Sequence, residues 1–286
     1  MASNSVKKRK FIDNLFKNIV FLCTMFGVVI LVVLMFDVIR KGLGWINWNF
    51  LTNFPSRFPK KAGLASAIVG TIYIIILTAI IAFPIGVGTA VYLEEYANKK
   101  SKFFRILELN IANLAGVPSI VYGMLGLAVF VQILGLGRSI ISGAFTLALL
   151  ILPVIIVSAQ EAIKAVPNSA KEGAYALGMT KWQMIKCVVI PYAMPGMLTG
   201  SILALSRAAG EAAPLIVVGA AAYVPFFPQN IFDVFTVMPI QIYNWTSRPQ
   251  EEFQYVAAAG IIVLMILLLS ANGVAIYLRN KYQKDM

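Results

Sequence analysis

The chain of 286 residues has no histidine and only two cysteines. Histidine is the commonest metal ligand and the usual general base near neutral pH, so its absence excludes most zinc centres and many hydrolytic sites. Cys23 lies in an apolar run and Cys187 in a polar loop, so we expect neither a structural disulfide nor a metal site built on them. The sequence therefore points away from a metalloenzyme.

Charged residues are also scarce, at 13% of the chain against 59% for hydrophobic residues, and the mean hydropathy is +0.82. Soluble proteins carry about 25% charged residues, so this composition indicates a membrane protein with several spans. The net charge of +12 comes from lysines and arginines that flank the apolar runs. Basic residues in that pattern orient helices in a lipid bilayer, and we expect no nucleic acid as a partner.

Six runs of mostly apolar residues are long enough to cross a bilayer as helices, which takes about 18 residues or more. An all-α fold with six transmembrane helices is therefore predicted. Pro84 and Pro214 fall inside two of the runs and predict tilt or a kink there. The predicted spans are Ile19–Ile39, Ala67–Leu93, Leu114–Leu134, Ile140–Ser158, Met194–Ala221 and Tyr255–Leu278.

The distribution of lysine and arginine predicts the orientation of these spans. With both termini in the cytoplasm, 16 basic residues lie inside and 7 outside, and Arg207 is left within the membrane. Cytoplasmic loops usually carry the excess of basic residues, so both termini are expected to be cytoplasmic. The first apolar run has no small-residue cleavage site after it, and we interpret it as a retained helix.

Two long outer loops separate parts of the chain. Arg40–Leu64 is rich in aromatic and basic residues, and we interpret it as an interfacial segment that seats the first helix, because aromatic side chains are enriched at the membrane boundary. Tyr223–Phe253 is aromatic and lightly charged, which suits either contact with another protein or packing on its own chain. The chain is accordingly divided into residues 1–63 and residues 64–286.

A polar segment of about residues 161–192 interrupts the apolar pattern between the fourth and fifth runs. Ser169–Glu172 and Thr180–Gln183 both match the capping box that begins a helix. Gly178 suits the left-handed conformation that ends a helix, and Pro191 is expected to open the next span. The predicted result is a helix–glycine–helix elbow at the cytoplasmic face.

The elbow is expected to present Tyr175, Met179 and Trp182 close together. An amphipathic connector lying on the membrane surface is the alternative. The segment lacks the dense lysine face of a lipid-binding helix, which favours docking to another protein. Because the chain has no Gly-x-x-x-x-Gly-Lys-Ser/Thr phosphate-binding loop, ATP that drives transport must bind to another polypeptide.

Arg207 and Glu211 place two charged side chains in the fifth predicted span. Four residues apart, they are expected to share one face of a helix. Charges within a membrane mark a pathway or a site by default, although an ion pair that pins helix packing is an equal alternative from the residues alone. The planar donors of arginine suit a tetrahedral oxyanion. Small neighbours such as Ala208 and Gly210 leave room beside the pair.

A second polar cluster, Gly116–Gly123, lies at the start of the third predicted span. Its proline is expected to interrupt the helix and to free backbone groups, which membrane proteins tolerate only beside protein or water. Ser119 and Tyr122 add hydroxyl groups at the same place. A helix kink and an element that lines a pathway explain the cluster equally well.

Together these segments resemble the phosphate-specific transport permease family of ABC importers, in the form of its A-type subunit. The elbow is similar to the EAA loop, by which such permeases dock onto their ATPase. The resemblance runs from about Leu64 to the C-terminus. The matching segments outside the elbow are Gly116–Gly123, Ser206–Leu215 and Pro239–Phe253, and the departures from the family pattern are Gly173, Val188, Ile190 and Ala212.

The resemblance implies a non-catalytic permease of the bacterial cytoplasmic membrane that forms a heterodimer with a C-type subunit. It also implies two copies of an ABC ATPase subunit, which bind ATP and magnesium, and an extracytoplasmic phosphate-binding protein that delivers phosphate. This chain is then expected to bind no cofactor itself. The expected substrate path comprises Arg207, Glu211, Ser206, Ser119 and Tyr122. The expected coupling residues are Glu172, Gly173, Ala174, Tyr175, Gly178, Met179, Trp182 and Pro191.

Three other interpretations stay open at this point. A permease for sulfate or molybdate on the same core is the nearest of them. A secondary transporter driven by an ion gradient predicts inverted repeats and intramembrane acid clusters, and the sequence displays neither. A membrane-embedded enzyme is disfavoured by the absence of histidine and by Glu211 as the only carboxylate deep in a predicted span.

Overall fold

The computed structural model describes the backbone of residues 2–284, and their side chains except at residues 2–9, 11, 278 and 282–284. Across this range the protein is helical and has no strand. The α-helices are α1 (Ala2–Gly42), α2 (Trp48–Thr52), α3 (Ala65–Val91), α4 (Lys102–Leu114), α5 (Ser119–Gly126), α6 (Ile140–Lys164), α7 (Asn168–Ala176), α8 (Lys181–Met184), α9 (Ile190–Gly210), α10 (Ala213–Val218), α11 (Met238–Thr246) and α12 (Glu252–Lys284).

The predicted all-α membrane fold is confirmed within the described residues. Five continuous helical stretches are long and apolar enough to cross a membrane, and a bent pair of helices supplies a sixth crossing when it is counted as one span. The five stretches are Ile12–Trp45, Ala65–Tyr96, Ile140–Lys164, Lys181–Gly210 and Glu252–Lys281, and the bent pair is Lys102–Leu114 with Ser119–Ile133.

The predicted third span, Leu114–Leu134, is not one continuous helix, because α4 ends at Leu114 and α5 begins at Ser119. The chain turns by 105° between α4 and the helix that follows. Pro118 has extended backbone angles, φ −56° and ψ 138°, and a proline also disfavours helix at the residue before it, here the β-branched Val117. The predicted interruption of the helix at this proline is therefore confirmed, and it is sharp enough to separate α4 from the crossing helix.

Three π-helical turns extend the α-helices: Tyr92–Tyr96 after α3, Leu127–Ile133 after α5 and Ile185–Val189 between α8 and α9. The last of these makes α8 and α9 one continuous helix, Lys181–Gly210. Pro191 therefore lies inside a helix, and the prediction that it opens the span is wrong. The N–H of Ile190 still donates to the carbonyl of Ile185, so the missing N–H of the proline removes a single donor from a helix that is already wound more widely.

The centre of the bundle is α6, which packs between α3 and α9. The approach of α9 to α6 depends on two glycines. A Cβ atom on Gly196 would lie 2.8 Å from the Cβ of Ala162, and one on Gly200 would collide with the hydroxyl of Ser158. Small residues at such positions let helix backbones approach closely, which is the main source of helix association in lipid.

The first outer loop is more than an interfacial segment. Phe50 is buried against Trp245 of α11, with ring centroids 5.9 Å apart, and Trp45 stacks on Tyr255 of α12 at 6.4 Å. Trp48 remains exposed, as expected of an aromatic residue at a membrane boundary. Part of this loop therefore belongs to the core at the outer end of the bundle.

The second outer loop packs largely on its own chain. Its helix α11 is buried against α12 and α3. The hydroxyl of Thr71 in α3 accepts a hydrogen bond of 2.9 Å from the backbone N–H of Met238, at the start of α11. Between the two residues lie more than a hundred residues of sequence, so the contact fixes the loop across the top of the core. The stretch Tyr223–Val234 before it keeps several aromatic side chains exposed.

The first helix stands at the periphery. It packs on α12 near its outer end, where a Cβ on Gly42 would lie 2.6 Å from the backbone of Ala258. The rest of its apolar surface is exposed within this chain, as a helix surrounded by lipid would be. Cys23 of this helix and Cys187 are both free and exposed, so the expected absence of a disulfide between them holds in the structure.

Candidate functional site

The cytoplasmic elbow begins at α7, without the capping box that the sequence predicts there. Pro167, with φ −59° and ψ 136°, is the residue that precedes the helix, and no side chain caps its N-terminus. The helix starts at Asn168, one residue before Ser169, so the serine lies within the first turn and cannot act as the cap. Glu172 is exposed on α7.

The turn at Gly178 and the start of α8 follow the prediction. Gly178 has φ +78°, its N–H donates to the carbonyl of Tyr175, and the N–H of Met179 donates to that of Ala174. This pair of bonds is the Schellman arrangement that ends a helix at a left-handed residue. Thr180 then caps α8, and the predicted capping box with Gln183 is confirmed, with the Gln183 side chain 2.8 Å from the Thr180 N–H.

The elbow exposes an aromatic and aliphatic surface within this chain. Tyr175 and Trp182 are exposed, as expected, and Leu177 is 80% exposed. Met179 instead packs against the apolar cluster that contains Ala174 and joins the elbow to α6 and α9. Leu177 was missed because nothing in its immediate sequence distinguishes an exposed leucine from a buried one. Gly173 is exposed beside them on α7.

Two residues of the turn that follows α3, Glu95 and Tyr96, contact this elbow, and sequence reasoning missed them as well. The carboxylate of Glu95 lies 2.6 Å from the amine of Lys171 in α7. The amine of Lys181 in α8 lies over the ring of Tyr96, 4.6 Å from its centroid. The available signal was a pair of acidic residues, Glu94 and Glu95, at the inner end of an apolar span, where basic residues are the rule.

The intramembrane pair is arranged differently from the prediction. Helix α9 ends at Gly210, and Glu211 has an extended backbone with φ −81° and ψ 120°. The two charged residues therefore do not share a helical face. They still meet, because the extended residue brings the Glu211 carboxylate to 3.6 Å from Nε of Arg207. The Arg207 side chain is 49% exposed and that of Glu211 is 22% exposed within this chain.

The short helix α10, which follows the break after α9, packs against α5. Pro214 stands at the start of α10, and a Cβ on Gly123 of α5 would lie 2.8 Å from its backbone. Tyr122 is buried there, and its hydroxyl donates to the carbonyl of Leu114 at 2.7 Å. The structure thus brings the two polar clusters of the sequence to one place.

The two serines of the predicted path have different surroundings. The hydroxyl of Ser206 lies within hydrogen-bond distance of the Ile202 carbonyl in its own helix and of the side-chain oxygen of Asn272 in α12. It therefore points toward α12 and ties two helices together. Ser119 is half-buried in the first turn of α5, three residues before Tyr122 in the same helix. Among the described residues, no cluster of acidic and cysteine side chains could hold a metal ion.

Comparison with known proteins finds relatives over almost the whole chain. Probable ABC transporter permease protein YqgI of Bacillus subtilis is 34% identical, with 97% of this chain and 98% of that protein covered. Phosphate transport system permease protein PstA of Xylella fastidiosa is 31% identical, with 96% of each chain covered. The PstA protein of Yersinia pestis is also 31% identical, over 90% of this chain and 87% of its own length.

The fold has solved counterparts. A chain of the MetNI methionine ABC transporter in an inward-facing conformation superposes with a TM-score of 0.61 at 17% identity, covering 77% of this chain and 94% of the solved chain. A family model, described as the inner membrane component of binding-protein-dependent transport systems, matches residues 82–284. With its apolar helices, the protein is a multi-pass inner-membrane protein. The chain belongs to the family of binding-protein-dependent transport system inner membrane components.

Proposed function

We propose that this chain is a transmembrane permease subunit of an ATP-driven importer of inorganic phosphate. The observation that carries the proposal is its similarity, over nearly its full length, to the phosphate permeases of Xylella fastidiosa and Yersinia pestis. The site agrees with that substrate, because an arginine stands at a helix break inside the membrane. Such charges are retained where they serve a pathway.

The chemistry of the pair suits hydrogen phosphate. The guanidinium of Arg207 offers a planar fork of donors to the oxygens of a tetrahedral anion. The carboxylate of Glu211 holds the arginine while the site is empty and can accept a hydrogen bond from the hydroxyl group of a hydrogen phosphate. Sulfate has no such proton at neutral pH and would meet an unpaired carboxylate instead. Ser119 and Tyr122 on α5 are the other residues proposed for the path.

The partners follow from the family and from what the chain exposes. A C-type permease subunit would complete the pore as a heterodimer, and an extracytoplasmic phosphate-binding protein would deliver the anion. Two ATPase subunits would supply the energy, with ATP and magnesium bound by them and no cofactor or metal held by this chain. The elbow would dock on one ATPase through Tyr175, Leu177 and Trp182, which are exposed.

The proposed arrangement in the membrane places both termini in the cytoplasm, in line with the excess of basic residues on that side. Residues 64–286 then form the permease core, and residues 1–63 add a peripheral helix with its outer loop. That division agrees with the limited packing of α1, which rests on α12 near Gly42. The chain itself would be non-catalytic.

The test is uptake of labelled phosphate into membrane vesicles that contain this chain with the permease, ATPase and binding protein encoded beside it. ATP is supplied inside the vesicles, and arsenate and sulfate are offered as competitors. We expect ATP-dependent uptake that arsenate blocks and sulfate does not. Vesicles that lack only this chain are the control.

Two results would overturn the proposal in different ways. Uptake without ATP would indicate a secondary transporter. ATP-dependent uptake of sulfate or molybdate without phosphate would indicate a permease for another oxyanion on the same core.

A further inference from the structure

Three consecutive side chains at the cytoplasmic end of α3 each contact a different part of the molecule. They lie in the π-helical turn Tyr92–Tyr96. A π-helical turn has more residues per turn than an α-helix, so successive side chains point in directions that a regular helix would not give them. Glu94 turns toward α6, whereas Glu95 and Tyr96 turn toward the two helices of the elbow.

The contact between Glu95 and Lys171 is a short and enclosed ion pair. The carboxylate and the amine lie 2.6 Å apart, and the side chains are 9% and 19% exposed. Such a pair is screened by water and salt far less than a surface ion pair. It ties the end of α3 to α7, the first helix of the elbow.

The contact between Tyr96 and Lys181 ties the same turn to the second helix of the elbow. The amine lies 4.6 Å from the ring centroid, within the range of a cation–π interaction. Lys181 is the first residue of α8, which continues into α9 as one helix. Both sides of the Gly178 turn are therefore held by neighbouring residues of α3.

Glu94 connects the turn to the central helix of the bundle. Its side chain is 4% exposed and accepts a hydrogen bond of 3.1 Å from Gln160 in α6, which is itself buried. Lys99 pairs with the same carboxylate, and the amine of Lys164 at the end of α6 lies 3.7 Å away. A buried carboxylate with several donors is held in one geometry, because losing any partner leaves a polar group unpaired.

We propose that the turn Tyr92–Tyr96 is the joint through which movement of the elbow reaches α3 and α6, and that Glu95 and Lys171 are its positioning residues. The inference rests on the proposed docking of the elbow to an ATPase. A push on α7 acts through the ion pair on α3 and through Glu94 on α6. Packed elements of this kind move as rigid bodies. The elbow also packs on α3, α6 and α9 through the apolar cluster that contains Val91, Ala174 and Met179, and the joint makes that connection tight enough for α3 and α6 to follow the elbow fully.

A broken joint has a distinct consequence. The elbow keeps its docking surface, because Tyr175, Leu177 and Trp182 do not take part in the ion pair. The ATPase then still binds and hydrolyses ATP, while α3 and α6 no longer follow the elbow fully. The expected signature is a fall in anion transported per ATP hydrolysed, with the assembled complex intact.

The experiment uses the complete complex in proteoliposomes, with binding protein outside and ATP supplied to the ATPase. Uptake and ATP hydrolysis are measured in parallel for wild type, Glu95→Gln, Lys171→Met and the charge exchange Glu95→Lys with Lys171→Glu. The control is Asp37→Asn, which removes an exposed ion pair with Lys41 on the peripheral helix α1. Co-purification of all subunits and thermal unfolding are recorded for each variant.

We expect each single change to lower the transport-to-hydrolysis ratio by about tenfold, in the range of coupling energies seen between sites in proteins. The charge exchange should recover most of the ratio, and the control should keep it. A role in stability alone would shift the unfolding temperature and leave the ratio unchanged, which would overturn the proposal. Failure of the charge exchange to recover the ratio, in a complex that assembles, would also overturn it.

The two levels of inference fail separately in this design. If the wild-type complex carries sulfate or molybdate and not phosphate, the proposed substrate is wrong, and the ratio is measured with that anion instead. If no ATPase co-purifies with the wild-type chain, the docking of the elbow is wrong and the joint is rejected with it.

Discussion

Two charged clusters, Glu94 with Glu95 and Arg207 with Glu211, differ in how many hydrogen-bond and ionic partners they find within the chain. At the cytoplasmic turn, Glu94 and Glu95 are enclosed and are held by short bonds to several partners. Inside the membrane, Arg207 is half-exposed and its nearest carboxylate, Glu211, lies at the longer distance of 3.6 Å. Leaving a charge partly unpaired is far more costly in lipid than beside water. The cluster of Arg207 and Glu211 is therefore the one that needs further partners from outside this chain.

That difference agrees with the two roles proposed for the clusters, a mechanical role at the turn after α3 and a binding role at Arg207. An arginine has five N–H donors, and among the described residues Arg207 has an ionic contact through Nε with Glu211. The other donors are available to an anion or to a partner subunit. The cytoplasmic cluster, in contrast, uses its carboxylates to fix helices relative to one another.

Replacing Arg207 by alanine is expected to give the largest effect, and it tests the open cluster directly. Loss of about two charge-assisted hydrogen bonds to an anion corresponds to about 3 kcal/mol, or roughly a hundredfold fall in uptake. The measurement is phosphate uptake per assembled complex. Arg207→Lys is the matched variant, because lysine keeps the charge without the planar fork of donors. Its uptake should lie between that of the wild type and that of the alanine variant. Near-normal uptake by the alanine variant would remove Arg207 from the path.

Glutamate-to-glutamine changes in the two clusters sharpen the comparison at the level of stability. Glu94→Gln leaves buried donors with a weaker acceptor and should cost about 1–3 kcal/mol. Glu211→Gln removes a loose and partly exposed pair and should cost about 1 kcal/mol or less. Thermal unfolding of the purified protein in one detergent measures both. Equal destabilisation by the two changes would mean that the clusters do not differ as the structure indicates.

Alanine at Gly178 tests whether the elbow must keep its shape for the cytoplasmic cluster to act. The residue has φ +78°, where a Cβ costs about 1–2 kcal/mol, so Gly178→Ala should loosen the elbow and lower ATPase activity in the complex by up to about tenfold. Gly27→Ala is the control, since this glycine lies in the peripheral helix α1 with open space around it and alanine favours helix by about 1 kcal/mol. Equal activity of the two variants would contradict the requirement for the turn.

Much of the fold follows from local sequence, and the exceptions are instructive. The apolar runs predicted the crossing helices, and glycine and threonine predicted the turn at Gly178 and the cap at Thr180. The kink predicted at Pro214 is in fact a complete break of the helix after Gly210, although a glycine followed four residues later by a proline is a helix-end and helix-start pair. The apolar pattern continues through this break, and it outweighed the local signal.

The candidate site was less predictable because it depends on contacts between distant parts of the chain. Glu95 and Lys171 are separated by two crossing helices, and nothing in their immediate sequence links them. The burial of α11 depends likewise on Thr71, in a helix far earlier in the chain. Periodicity reports which face of a helix is apolar, but it does not report which helix that face will meet.

Replacing Tyr122 by phenylalanine is expected to give the smallest effect, and it asks where the open cluster ends. The Tyr122 hydroxyl already donates to the carbonyl of Leu114 across the bend between α4 and α5. Loss of this hydrogen bond should cost about 1 kcal/mol in unfolding free energy. It should lower uptake only severalfold, because it loosens the bend between α4 and α5. Ser119→Ala is the comparison, because its hydroxyl lies nearby without that structural bond. If Tyr122→Phe lowers uptake as strongly as Arg207→Ala while unfolding is unchanged, the tyrosine contacts the anion itself and the open cluster extends onto α5.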